Sequence, residues 1–106
     1  HNRQPLIVQV LNGCGKEGAA ADIAGHLKNV TIISVENADQ FDYEESVIIV
    51  WRKGKNKELK SFYRTVGITQ DHISFKSDDL YPADVSLIVG HDHPTLKNRL
   101  TTPTQK

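Results

Sequence analysis

A chain of 106 residues, 38% hydrophobic and 25% charged, has the size of one domain and buries enough surface to fold without a disulfide or a metal. Its 13 basic residues balance 13 acidic ones, which gives no footprint of a nucleic-acid binder. Cys14 is the only cysteine, so no internal disulfide forms, and no apolar run is long enough to span a bilayer.

Leu6 to Leu11 reads as an apolar strand broken only by Gln9. The spacing predicts a helix over Glu17 to Leu27, with Ala20, Ile23, Ala24 and Leu27 at i, i+3, i+4 and i+7. Val30 to Val35 is a β-branched second strand, and "ENADQFDYEE" from Glu36 to Glu45 is a polar loop. Ser46 to Trp51 is a third strand, apolar on both faces. After "RKGKNK", Leu59, Phe62, Tyr63 and Val66 repeat the helical stripe, and Gly67 stands where a left-handed cap belongs. "HISF" is a short edge strand, "DDLYPAD" a loop, and Val85 to Val89 a last apolar strand. The polar segment from Pro94 to Lys106 reads as a flexible tail.

Strands that are apolar on both faces are central and covered on both sides. The expected fold is therefore α/β: a single compact domain over residues 6–93, with a mixed five-stranded sheet and two helices in βαββαββ order. One helix is expected on each face, each a right-handed crossover between parallel strands. A ferredoxin-like α+β arrangement, with both helices on one face, is the alternative. The expected core is Val8, Val10, Ile23, Leu27, Ile48, Val50, Leu59, Phe62, Leu87 and Val89. Residues 1–5 read as a linker, the opening of a cut made inside a longer protein.

The first strand runs into Gly13, Gly15 and Gly18, a G-x-G-x-x-G before a helix, and Glu36 follows at the end of the second strand. In a dinucleotide fold these glycines admit the pyrophosphate, the helix N-terminus holds its charge, and the acid binds a ribose hydroxyl. The same glycines also make a tight strand-to-helix turn, with positive φ at Asn12 and Gly13. A strand reversing so sharply calls for positive φ at Gly13, Gly15 or both. No second half is visible to hold another nucleotide, and Glu17 in the first turn already answers the helix dipole.

"VQVLNGCGKEGAAADIAGHL" resembles the opening of LytR_C, the C-terminal domain associated with LytR-CpsA-Psr cell-envelope proteins, a family whose name includes "transcriptional attenuator". "ENADQFDYEESVIIVW" is similar to the family's Asn-Ala loop, Asp-Tyr pair (Asp42 and Tyr43) and third strand. "ADVSLIVGHD" is similar to its closing strand. Cys14, at a small-residue position, and His91, after the closing glycine, depart from the pattern. The resemblance implies an accessory module outside the cytoplasmic membrane, with no enzymatic activity and no cofactor. It would be anchored by a bacterial membrane helix upstream of His1. Its implied partner is a cell-wall glycopolymer or another envelope protein. The candidate binding residues are Asn12, Gly13, Gly15, Gly18, Asp42 and Tyr43. A small nucleotide-binding domain using the glycine turn is the alternative.

Other clusters read in two ways. Lys53 and Lys55, in the basic run Arg52 to Lys60, are candidate polymer contacts or part of a solvated loop. Phe41 and Tyr43 among Asp39, Asp42, Glu44 and Glu45 either grip a sugar or fold the loop onto the core. His91 and His93 flank Asp92, but alternate strand residues face opposite ways, so no metal site is expected. Cys14 has no His and carboxylate pair placed to activate it, so no catalytic residue is expected.

Overall fold

A computed structural model describes residues 5–101. The chain order is β1 (Leu6–Asn12), α1 (Ala19–Ala24), β2 (Val30–Asn37), β3 (Val47–Val50), α2 (Asn56–Val66), a 3-10 turn (Gln70–His72), β4 (Ile73–Phe75), β5 (Val85–Val89) and α3 (His93–Thr101). The five strands form one mixed sheet in the order β2-β1-β5-β3-β4. β1 is parallel to β2 and β5, β3 is parallel to β4, and the β3–β5 pair is antiparallel. This is the expected α/β class, and its strand order is not ferredoxin-like.

One helix per face is not what forms. Leu6, Val8, Val10, Val85, Leu87, Val89, Ile48 and Val50 share one sheet face. They join Ala20 and Ile23 of α1, Leu59, Phe62 and Val66 of α2, and Leu96 of α3 in one core. All three helices therefore cover the same face. Handedness gives the reason. The unit β1-α1-β2 steps outward one way, and the antiparallel unit β3-α2-β4 steps outward the other way. A half-turn in the sheet plane relates two such units, so right-handed crossovers put both helices on one side. The opposite face holds Ile7, Gln9, Leu11, Ile49, Trp51 and Ser86, and loops cover it at its ends.

The expected core is buried throughout except at Leu27, which is partly buried against it. α1 is shorter than its apolar stripe because Gly25 ends it and Asn29 then reverses the chain at φ 64, a left-handed conformation that asparagine tolerates. In β2 the register slips between Val8 and Gln9, leaving Ile33 as an extra residue. The bulge resets the alternation, so Val35 pairs with Val10 on the helix side.

The polar tail is corrected as well: its first part is α3. Pro94 lies in the first turn, where proline fits a helix, and Leu96 (fully buried) and Leu100 (partly buried) form an i, i+4 stripe. Residues 102–106, and 1–4 of the expected linker, lie outside the described residues. Ile48 of β3 is fully buried beneath the helices. Ile48→Ala is expected to cost about 2–5 kcal/mol, read as a lower denaturant midpoint at unchanged slope.

Candidate functional site

The glycine turn is built around the side chain of Asn12, which is 8% exposed. Its Oδ1 accepts from the N–H groups of Cys14 and Gly15, each at 3.0 Å, and from Cys14 Sγ at 3.4 Å. Its Nδ2 donates to Lys16 O at 2.8 Å. Two of the turn's backbone N–H groups, those of Cys14 and Gly15, are thus taken by its own side chain.

Gly15 has φ +79 and Gly18 φ +85. The expectation of positive φ therefore holds at Gly15. Neither Asn12 nor Gly13 has it. Gly13 is required for a different reason: a Cβ there would lie 2.7 Å from both Ile88 Cγ2 and Tyr43 Cδ1. The Gly13 N–H donates to Val89 O at 2.8 Å, and the Tyr43 N–H donates to Gly13 O at 3.1 Å.

The loop after β2 closes over this turn. Phe41 sits against Gly15, whose added Cβ would be 3.2 Å from Phe41 Cβ. The Tyr43 hydroxyl donates to Asp39 Oδ1 at 2.9 Å. Burial, then the Asp39 hydrogen bond and the charges of Asp39 and Asp42, push the Tyr43 phenol above its ordinary pKa. Asp42 is exposed. Below the loop, Ser46 donates to Asp92 Oδ1 through both N–H (3.0 Å) and Oγ (2.7 Å), and the Gly90 N–H donates to Ser46 Oγ at 3.0 Å. Open α/β sheets bind ligands in the crevice outside the carboxyl ends of their strands. Here the 38–46 loop covers the ends of β1 and β5. What remains open is a recess of about 250 Å³ between Asn12, Gly18, Val35 and Glu36, so Glu36 does stand beside the last glycine.

The second cluster centres on Asp84, whose importance the sequence hid. Its side chain is 4% exposed. Its Oδ2 accepts from the Ile7 N–H (2.9 Å) and Lys55 Nζ (2.9 Å), and its Oδ1 accepts from Arg52 Nη1 (3.0 Å). Its backbone continues the clamp: its N–H donates to Ile7 O, and Trp51 N–H donates to its carbonyl, both at 2.8 Å. Burial pushes this carboxyl up, but the Ile7 N–H, Lys55 and Arg52 outweigh that and hold it below its ordinary pKa. Lys55 is therefore engaged at the start of the sheet, whereas Lys53 is exposed. Arg52 Nη2 also donates to Tyr81 O.

Third, the helix-free face carries an aromatic pair. Trp51 and Tyr81 stack with centroids 3.8 Å apart and planes 11° from parallel. Trp51 Nε1 donates to Ser86 Oγ at 2.9 Å. Ser86 Oγ and the Tyr81 hydroxyl both donate to Gln9 Oε1 at 2.7 Å.

His91 Nε2 lies 3.1 Å from Phe41 O, and Asp92 is taken by Ser46. Among the described residues no three His, Cys, Asp or Glu side chains converge as metal ligands. Cys14 is buried in the turn. Among the described residues no helix is long and apolar enough to cross a membrane.

The family model described as "LytR cell envelope-related transcriptional attenuator" (LytR_C) matches residues 6–93, nearly the whole chain. No curated protein and no solved structure matches it.

Proposed function

We propose, from the premise that this chain belongs to the LytR_C family, that it is a non-catalytic accessory module outside the cytoplasmic membrane that binds a cell-wall polymer. Domains of this family are envelope-associated accessory domains, typically extracellular. One observation favours this reading over the nucleotide alternative: the turn that would hold a nucleotide is partly filled and bonded by its own residues. Asn12 takes the N–H groups of Cys14 and Gly15, and Tyr43 closes over Gly13. In this reading Asn12, Gly13, Gly15 and Gly18 shape the turn, Asp42 and Tyr43 belong to the loop that covers it, and exposed Lys53 touches anionic polymer. A membrane helix upstream of His1 would anchor the module, and an envelope protein is the other partner in keeping with the family.

Co-sedimentation with purified peptidoglycan sacculi tests this. The chain is expected to pellet with sacculi and to be released partly by salt, less so for Lys53→Ala. Failure to pellet in low salt would refute polymer binding. The nucleotide alternative makes its own prediction. No NAD or ATP binding is expected at millimolar ligand, and micromolar affinity by calorimetry, lost in Gly15→Val, would reverse the assignment.

A further inference from the structure

We infer that the helix-free face of the sheet, at Gln9, Trp51 and Tyr81, is a carbohydrate-binding face that recognises sugar rings of a glycan chain. The inference rests on the wall-polymer reading and names the surface and the ligand chemistry.

Hydrogen-bond direction around Gln9 follows from its neighbours. Trp51 Nε1 can only donate, so Ser86 Oγ accepts from it and passes its own hydrogen to Gln9. In this arrangement Gln9 turns its carbonyl oxygen toward Ser86 and Tyr81, which both donate to it. Its Nε2, with two donor hydrogens, has no acceptor among the described residues, although the residue is only 8% exposed. No buried side-chain nitrogen or oxygen among the described residues lacks a partner, so Nε2 reaches solvent. The Tyr81 hydroxyl spends its hydrogen on Gln9 and keeps its oxygen as an acceptor. Two amide donors and one phenolic acceptor thus stand beside the edge of a part-exposed Trp–Tyr stack.

That set matches a pyranose. Its axial C–H groups form an apolar face that packs on an aromatic ring, and its equatorial hydroxyls both donate and accept. Tyr and Trp serve such amphipathic contacts well, since each offers an apolar body and a polar tip. Ile7, Leu11 and Ile49 on the same face are partly exposed. Ser86 and Ile88 in the middle of this face are buried, so what a sugar would meet is the part-exposed Trp51–Tyr81 stack with Ile7 and Ile49 beside it.

Trp51 is the chain's only tryptophan, so its emission reports directly on the face. Titration with a β-linked N-acetylglucosamine tetramer is expected to change that emission saturably, with a Kd below about 10 mM. Gln9→Glu keeps the acceptor for Ser86 and Tyr81 but removes both free donors. Tyr81→Phe keeps the ring but removes the hydroxyl. Each is expected to weaken binding at least about fivefold, and thermal melts report whether each variant is folded. Unchanged affinity in a folded Tyr81→Phe would overturn the proposal. So would an emission change that depends on protein concentration without sugar, which would assign the face to a second copy. No response to the tetramer, with the chain still pelleting on sacculi, would sink the face and leave the wall-polymer reading standing. No response and no pelleting would remove both.

Discussion

Asp84→Ala is expected to lower stability by about 3 kcal/mol, the low end for breaking a buried ion pair. The carboxylate is almost wholly buried and ties β1, β3 and the start of β5 through Ile7, Arg52 and Lys55. Its loss leaves the Ile7 N–H without its side-chain acceptor and two cations without a counter-charge. Both cations are part-exposed, so water takes up some of the penalty. In a domain of this size such a change lowers the melting temperature by roughly 10 °C or more. The pH dependence carries a sign. Asp84 has a folded pKa below its ordinary value, so its stabilisation is complete above the unfolded value near 4. It is lost as pH falls through the lower, folded value. The stability gap between the natural chain and Asp84→Asn should therefore be full at neutral pH and shrink below about pH 4. A gap that stays constant into acid would show that the charge contributes nothing.

Gly13→Val should be nearly as damaging, at about 2–3 kcal/mol. Even a single Cβ would meet Ile88 on the sheet and the Tyr43 ring in the loop above it, both at 2.7 Å. Neither can retreat easily, because Ile88 is in a central strand and Tyr43 is hydrogen-bonded to Gly13 itself. The loop over 38–46 should lift, with faster amide exchange there than in β5. Gly18 is the informative contrast. Its φ of +85 strains any other residue, yet a Cβ there has no neighbour within 4 Å. Gly18→Ala should cost only about 1–2 kcal/mol, the left-handed penalty alone, and leave the loop closed. Equal effects at the two glycines would contradict this division between steric and conformational causes.

Local signals in the sequence were largely readable. The apolar runs "LIVQV" and "VIIVW", the stripe Leu59–Phe62–Val66, and Gly67 as a cap (φ +71) all depend on neighbours within one or two turns. The side on which the helices lie was not readable, because it depends on β3 running antiparallel to β5, a pairing between distant segments. Asp84 was hidden for the same reason: Lys55, Arg52 and Ile7 lie 29, 32 and 77 residues away. α3 did leave a signal in Pro94, Leu96 and Leu100, but two leucines among polar residues resemble a tail until Leu96 is seen to be buried. At the candidate site, "LNGCGKEG" announced a turn. Whether its N–H groups are open depends on the rotamer of Asn12 and the path of residues 38–46, which periodicity does not encode. The Gln9–Ser86–Tyr81 chain was equally hidden, since Gln9 showed only as the polar interruption of an apolar strand.

The order in which strands emerge during synthesis has a kinetic consequence. β5 stands between β1 and β3, and those two strands do not pair with each other. The first half, β1-α1-β2, and the second, β3-α2-β4, therefore share no ladder until Val85–Val89 has been made. Until then β1 and β3 each present an unpaired inner edge, the state in which chains associate wrongly. The bonds that end this state span about three-quarters of the chain, such as Gln9 to Ser86, which are 77 positions apart. Closing so large a loop is entropically slow. Each half can pair its own two strands early, but the five-stranded sheet and its shared core close only when nearly the whole chain is available.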